Sequence, residues 1–210
     1  MTGGKIIVVS GPSGSGKGTV IGKLLSINGA LALSISYTSR RPRQGELDGV
    51  HYHFVTKERF AAMIGGGEFV EWDLYQGDYY GTSKAEIEKH IRNGEDVIFD
   101  ITIKGAYAIR DYFPDAALVF MLPPSFSELE KRLRRRGTET EEKIAGRLAE
   151  AGREIMALEN FNYFIINDDA DEAARKLDSI LTAEKHRVGA GETAPLIEKI
   201  ITKGNGEQQL

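Results

Sequence analysis

The chain has no cysteine in its 210 residues. That excludes disulfides and thiolate-ligated metals and is consistent with a reducing compartment. Charge of neither sign dominates: 27 Lys and Arg stand against 31 Asp and Glu, for a formal net charge of −4. A nucleic-acid backbone is therefore not expected as the main partner. No apolar run approaches the ~20 residues of a membrane span. The opening Met1-Thr-Gly-Gly-Lys5 also lacks the charged-then-apolar form of a secretion signal. These absences predict a cytoplasmic protein with no nucleic-acid and no membrane partner. Histidine is scarce too, and although His51 and His53 share one face of a predicted strand, no carboxylate or third histidine completes a metal set with them.

What the chain does have is glycine, 24 residues of it, and a composition 41% hydrophobic, enough to bury the core of one globular unit. The informative glycines lie in Ser10-Gly-Pro-Ser-Gly-Ser-Gly-Lys-Gly-Thr19, between the apolar run Ile6–Val9 and the helical pattern of Val20, Ile21, Leu24 and Leu25. Strand, glycine-rich turn and helix in that order aim backbone N–H groups and a helix N-terminus at one point, which makes a phosphate cradle. Gly11 and Gly16 have the GxxxxGK spacing, and Lys17 is placed to reach the outer phosphates of a nucleotide. Gly18 stands where a magnesium-binding Ser or Thr is usual, so the nearby hydroxyl is that of Thr19.

Further along, Asn28-Gly29 reads as a helix stop accepting a left-handed residue, and Leu31 to Tyr37 as a half-buried strand. Arg40, Arg41 and Arg43 form a basic loop with Pro42 and Gly45, suited to an anion. Residues 50 to 84 predict short strands, a helix over Lys57 to Ile64 and hairpin turns. Capping boxes are read at Ser83-Lys-Ala-Glu86, Ser125-Phe-Ser-Glu128 and Thr138-Glu-Thr-Glu141. The near-continuous apolar run Val97–Ile103 predicts a central parallel strand with Asp100 near its end, where a carboxylate can organise a metal and its waters. Arg132 and Arg136, four apart, share a helix face. Phe161 to Ile166 predicts the last strand, and an amphipathic helix with Leu177, Ile180 and Leu181 follows. A polar, glycine-bearing tail from 189 to 210 reads as a flexible extension with a helical patch at Leu196 to Ile201.

Together these pieces resemble the guanylate kinase family over residues 5 to 187. They are the loop Gly11–Thr19; Ser36-x-x-x-Arg40-x-Pro42-Arg43-x-Gly45-Glu46; Tyr52; Phe69-x-Glu71; Tyr79-Tyr80-Gly81; Arg136-Gly-Thr-Glu-Thr-Glu-Glu142 with Arg147; and Asn167-Asp168. The resemblance implies an α/β P-loop NTPase fold in three layers around a parallel central sheet, its core at 1–34, 87–125 and 156–188. It adds a β-rich GMP-binding insertion at 35–86 and a helical lid at 126–155. It implies ATP at Gly11, Pro12, Ser13, Gly14, Ser15, Gly16, Lys17, Gly18, Thr19 and Asn167, with Mg2+ near Thr19 and Asp100. Arg40, Arg43, Tyr52 and Tyr80 would bind the GMP phosphate, Glu46 would hold the arginine loop, and Ser36, Glu71, Gly81, Thr82 and Thr102 would belong to the GMP site. Lys17, Arg132, Arg136 and Arg147 would be catalytic in transfer from ATP to GMP or dGMP. Two positions depart from the family's Asp-x-Asp-x-Gln-Gly: Thr102 replaces a second carboxylate and Lys104 a glutamine. The resemblance leaves two alternatives, a P-loop kinase for another phosphorylated acceptor and a non-catalytic binding module of the same fold. Oligomeric state is not readable.

Overall fold

The computed structural model describes residues 4–75, 77–135 and 140–188, with 193, 197, 198, 200 and 201. The expected tail from 189 and its helical patch, the proposed cap at Thr138, and Arg136 lie wholly or largely outside the described residues.

The first strand, β1 (Ile6–Ser10), is buried along its whole length because it is central. It pairs in parallel with β7 (Asp96–Asp100) on one side and β8 (Ala117–Leu122) on the other. Adding β2 (Leu31–Leu33) and β9 (Tyr163–Ile166) at the edges gives a five-stranded parallel sheet of order β2-β7-β1-β8-β9. Alternation sorts β1 between two cores. Ile7 and Val9 join Val20, Ile21 and Leu24 of α1 (Lys17–Ile27) and Leu177 and Leu181 of α7 (Ala170–Lys185). Ile6 and Val8 face Ile87 of α3 (Lys84–Arg92) and Ala106 and Ile109 of α4 (Ile103–Tyr112). Helices on both faces of a parallel sheet place ligands at the carboxyl ends of its strands.

A second sheet is built from β3 (Tyr37–Thr38), β4 (His53–Phe54), β5 (Phe69–Tyr75) and β6 (Asp78–Ser83), in the order β4-β3-β6-β5. Its core is aromatic. Phe60, on α2 (Lys57–Gly65), stacks on Phe69 at 4.5 Å and on Tyr79 at 5.2 Å. Gly81 faces this stack so closely that a Cβ there would lie 3.1 Å from the Phe60 ring.

Two helices, α5 (Phe126–Arg135) and α6 (Glu141–Ile155), cross the phosphate-loop end of the main sheet and share the buried residues Leu129, Leu133, Ile144 and Ala151. A 3₁₀ turn, Met156–Asn160, leads from α6 toward β9.

The structure corrects four local readings. The run Val97–Ile103 is strand only as far as Asp100, because Thr102 caps α4, which begins at Ile103. Leu31 to Tyr37 is not one strand: it ends at Leu33 in the main sheet and resumes at Tyr37 in the second, because Ser34 N–H still donates to Ile98 while Tyr37 already pairs with Gly81. The helix α1 ends at Asn28 with φ −125°, and Gly29 is not among the positive-φ glycines. The cap of α6 is Thr140, whose hydroxyl accepts from Lys143 N–H, two positions later than the predicted box. The caps at Ser83 and Ser125 are present as predicted. Among the described residues no helix is long and apolar enough to cross a membrane.

Candidate active site

The loop after β1 is shaped by glycines that nothing else could replace. Gly11 has φ +140°, and a Cβ on it would fall 2.2 Å from the Met121 carbonyl oxygen. Gly16 caps α1 in the left-handed region with φ 93°, and a Cβ there would meet Asn167 Nδ2 at 2.3 Å. With no side chain capping the helix, its first N–H groups face the hollow of the loop, the arrangement that receives phosphate. Lys17 Nζ donates to the carbonyls of Gly11 at 2.7 Å and Pro12 at 3.4 Å, so the ammonium lies along the loop rim.

The loop is braced from outside by α5, α6 and β9. Leu129 and Leu133 press on Gly14, where a Cβ would come within 3.0 Å of either side chain. Arg132 donates to the Ser15 carbonyl at 3.3 Å, to the Asn167 carbonyl at 2.9 Å and to Glu128 Oε1 at 3.2 Å. Asn167 Nδ2 donates to the same Ser15 carbonyl at 2.8 Å. Arg147 reaches Ser13 Oγ from α6. Thr19 is exposed in the first turn of α1, and Asp100 Oδ2 lies 3.7 Å from where a Cβ on Gly18 would be. Asp100 is exposed at the end of β7; the protein atoms that surround it there raise its carboxyl above the ordinary range, with the nearby Lys17 ammonium pulling the other way.

A second group of cations lies at the end of β3. Arg40 is locked by a bidentate pair to Glu46, 2.9 Å on each arm, and Glu46 also accepts from Arg43 N–H at 2.7 Å. The Arg40 guanidinium, with burial working against it and the Arg43 N–H working with it, holds Glu46 at about 2. The Tyr80 and Tyr52 rings meet edge-on with centres 5.9 Å apart, and the Arg40 guanidinium lies 5.6 Å from the Tyr52 ring centre. Burial raises the Tyr52 phenol, and the next cause is the Asp100 carboxylate.

Between them stands Glu71. Its Oε1 accepts from the buried Thr82 hydroxyl at 2.6 Å, and its Oε2 lies 3.0 Å from the point a Cβ on Gly105 would occupy. Burial pushes the carboxyl up, while Thr82 holds it down. Thr102 is the N-cap of α4, its hydroxyl accepting from Gly105 N–H at 3.2 Å. Lys104 pairs with Asp73 at 3.1 Å and lies 6.0 Å over the Trp72 ring.

The structure thus gathers Gly11 to Thr19, Asp100, Arg132, Arg147 and Asn167 at one end of the sheet. Arg40, Glu46, Tyr52 and Tyr80 form the second group, with Glu71, Thr82 and Thr102 around α4. Arg43 is exposed, with only its backbone N–H engaged by Glu46, and Ser36 lends its carbonyl to His53. His51 accepts from Leu47 N–H, and His53 stacks on Tyr37 at 4.6 Å. Sequence reasoning missed the tie of Glu128 to Arg132, whose Nε donates to it at 3.2 Å; the four-residue spacing on one helix was the available signal.

A phosphate loop on the central strand of a parallel sheet, braced by arginines from two crossing helices and opposed by a second arginine site, defines a P-loop phosphotransferase. Comparison with known proteins narrows the class. The family model for guanylate kinase matches residues 3–184. A guanylate kinase of Carboxydothermus hydrogenoformans is 47% identical over 182 residues, covering 87% of this chain and 89% of that protein. One of Clostridioides difficile is 44% identical over 185 residues, 88% and 90% of the two chains. The crystal structure of guanylate kinase from Anaplasma phagocytophilum superimposes with a TM-score of 0.74 at 31% identity, covering 89% of each chain. The chain belongs to the guanylate kinase family.

Proposed function

We propose that this chain transfers the γ-phosphoryl group of ATP to the phosphate of GMP or dGMP, yielding ADP and GDP or dGDP. The observation that carries this reading is the glycine-shaped phosphate loop with Lys17 on its rim, together with the second cationic site in which Glu46 aims Arg40 at the end of β3. In it, the loop N–H groups from Gly14 to Thr19 and the Lys17 ammonium hold the ATP phosphates. Arg40, Arg43, Tyr52 and Tyr80 hold the GMP phosphate, since guanidinium forks and phenol hydroxyls both donate to phosphate oxygens. Glu46 keeps Arg40 aimed. Glu71, steadied by Thr82, accepts from guanine N1–H and its amine, donors that adenine does not display on that edge. Ser36, Gly81 and Thr102 line the same site.

The acceptor phosphate is largely dianionic at neutral pH, with a second pKa near ~6, so no general base is required. Catalysis then rests on positioning and on neutralising charge that develops on the transferred group. Lys17, Arg132, Arg136 and Arg147 supply that positive charge. The donor chemistry near Thr19 and Asp100, an exposed hydroxyl and an exposed carboxylate without sulfur or imidazole, fits a hard divalent cation such as Mg2+. Bound there with ATP, such an ion would neutralise phosphate charge. The reading includes an insertion at 35–86, a lid at 126–155 and a cytoplasmic location where both nucleotides are available. A coupled ADP-release assay with GMP, dGMP, AMP, UMP and CMP tests it. GMP and dGMP should be consumed in strong preference, and equal use of every acceptor would sink the reading.

A further inference from the structure

Side chains two apart on a strand share a face, and so do residues paired across two strands. On β5 and β6 the pairs Glu71–Thr82 and Asp73–Tyr80 therefore lie on one face, one pleat apart, while the pair Trp72–Gly81 between them lies on the other. At the first pair the Glu71 carboxylate accepts the Thr82 hydroxyl at 2.6 Å. At the second, Tyr80 meets the Tyr52 ring, and beyond it lies Arg40. Asp73 has no part in the acceptor site described above.

Its carboxylate is nevertheless held in place. Oδ1 accepts from Leu74 N–H at 3.0 Å and from Lys104 Nζ at 3.1 Å. Lys104 reaches it from the first turn of α4 and also lies 6.0 Å over the Trp72 ring. Among the described residues nothing bonds to Oδ2, and the Asp73 side chain is 37% exposed, so a bound molecule can reach it. A bare carboxylate beside Tyr80 would repel an acceptor phosphate; the Lys104 ammonium offsets that charge.

Distance decides which part of a nucleotide Asp73 meets. A strand advances about 3.4 Å per residue, so Asp73 stands about 7 Å past Glu71. With the guanine edge on Glu71 and the phosphate on Arg40, Arg43, Tyr52 and Tyr80, that step is shorter than the span from base edge to phosphate. The sugar then lies alongside Asp73. Sugar hydroxyls donate and a carboxylate oxygen accepts.

We propose that Asp73, held by Lys104, is a specificity-determining residue whose Oδ2 accepts a hydrogen bond from a ribose hydroxyl of the acceptor, so that the ribonucleotide is preferred to its deoxy counterparts. This rests on the GMP reading above.

The test compares GMP with its 2′-deoxy and 3′-deoxy forms as acceptors for the unaltered protein, D73A and K104A. A pair this exposed adds little to stability, so both variants should fold. The unaltered protein should favour GMP over at least one deoxy form by about tenfold in kcat/KM, the scale of a hydrogen bond to a charged group. The difference should lie in KM and not in kcat, because the contact is made equally before and during transfer. D73A should bring the ratio within about twofold by losing on GMP and not on the deoxy form. K104A, which leaves the carboxylate untethered, should keep less than half of the ratio. Both deoxy forms used as well as GMP by the unaltered protein, or an undiminished ratio in D73A, would overturn the inference. The full ratio in K104A would remove Lys104 from it. If D73A does not fold, the ratios of the unaltered protein and of K104A still decide. AMP, UMP and CMP in the same assay separate the two readings. Selectivity for guanine without preference for the sugar overturns this inference alone, whereas equal use of every base overturns the GMP reading and this inference with it.

Discussion

At the scale of single residues, Thr102 shows how one atom can be committed before a ligand arrives. Its departure from a carboxylate was legible in the sequence; its duty was not, because a cap is defined by the N–H that reaches it. The hydroxyl accepts from Gly105 N–H, starting the helix that lies against Glu71. Aspartate caps as well as threonine, whereas alanine removes the cap at a cost of about 1 kcal/mol. T102D should therefore fold normally and lower the KM for GMP by restoring a carboxylate near the guanine edge. T102A should lower the unfolding free energy by about 1 kcal/mol in a denaturant titration. A KM unchanged in T102D would show that position 102 does not sense the base. The tie of Glu128 to Arg132 was missed for a related reason: a glutamate on an amphipathic helix looks solvated until the fold shows what its partner holds.

Among the elements, those with strong periodicity were readable. The buried run of β1, the helices α1 and α7, the hairpin of β5 and β6 and two of three predicted caps follow from local chemistry. The break between β2 and β3 does not, because Leu31, Leu33, Ile35 and Tyr37 keep their alternation while the chain crosses from one sheet to another. The placement of α5 was equally hidden. Arg132 read as sharing a helix face with Arg136, yet its guanidinium reaches three acceptors, joining its own helix to the phosphate loop and to the end of β9. Lysine offers a point charge without the planar fork. R132A should cost turnover on the scale of a lost arginine finger, about 10³-fold, and R132K should recover little of it. Steady-state kcat with saturating ATP and GMP measures both, and near-normal turnover in R132A would remove α5 from the chemistry.

Across the whole molecule, two carboxylates on the acceptor side respond to acid in opposite ways. Glu71 is raised by burial, so as pH falls it takes up its proton above the 4.5 of an ordinary glutamate and ceases to accept from guanine. Glu46 is lowered to about 2 by Arg40, so the stability its pair contributes is complete above 4.5 and is lost only as pH falls toward about 2. Mild acid should thus raise the KM for GMP while the arginine loop stays assembled. E71Q should lack that part of the acid limb which the phosphate of GMP itself does not explain, and kinetics between pH 8 and about 5 with circular dichroism as the folding control would check it. An E71Q profile superimposable on that of the unaltered protein would remove Glu71 from the pH response. The two cationic sites were legible as separate motifs, but not the bracing of the phosphate loop at Ser15 by Arg132 and Asn167, since no local pattern encodes those contacts. The resting place of Lys17 carries one more consequence. An ammonium already satisfied by the Gly11 and Pro12 carbonyls surrenders those bonds to any newcomer. Orthophosphate spans less of the loop than a nucleoside triphosphate and should recover less in exchange, so its inhibition of the empty protein should be weak.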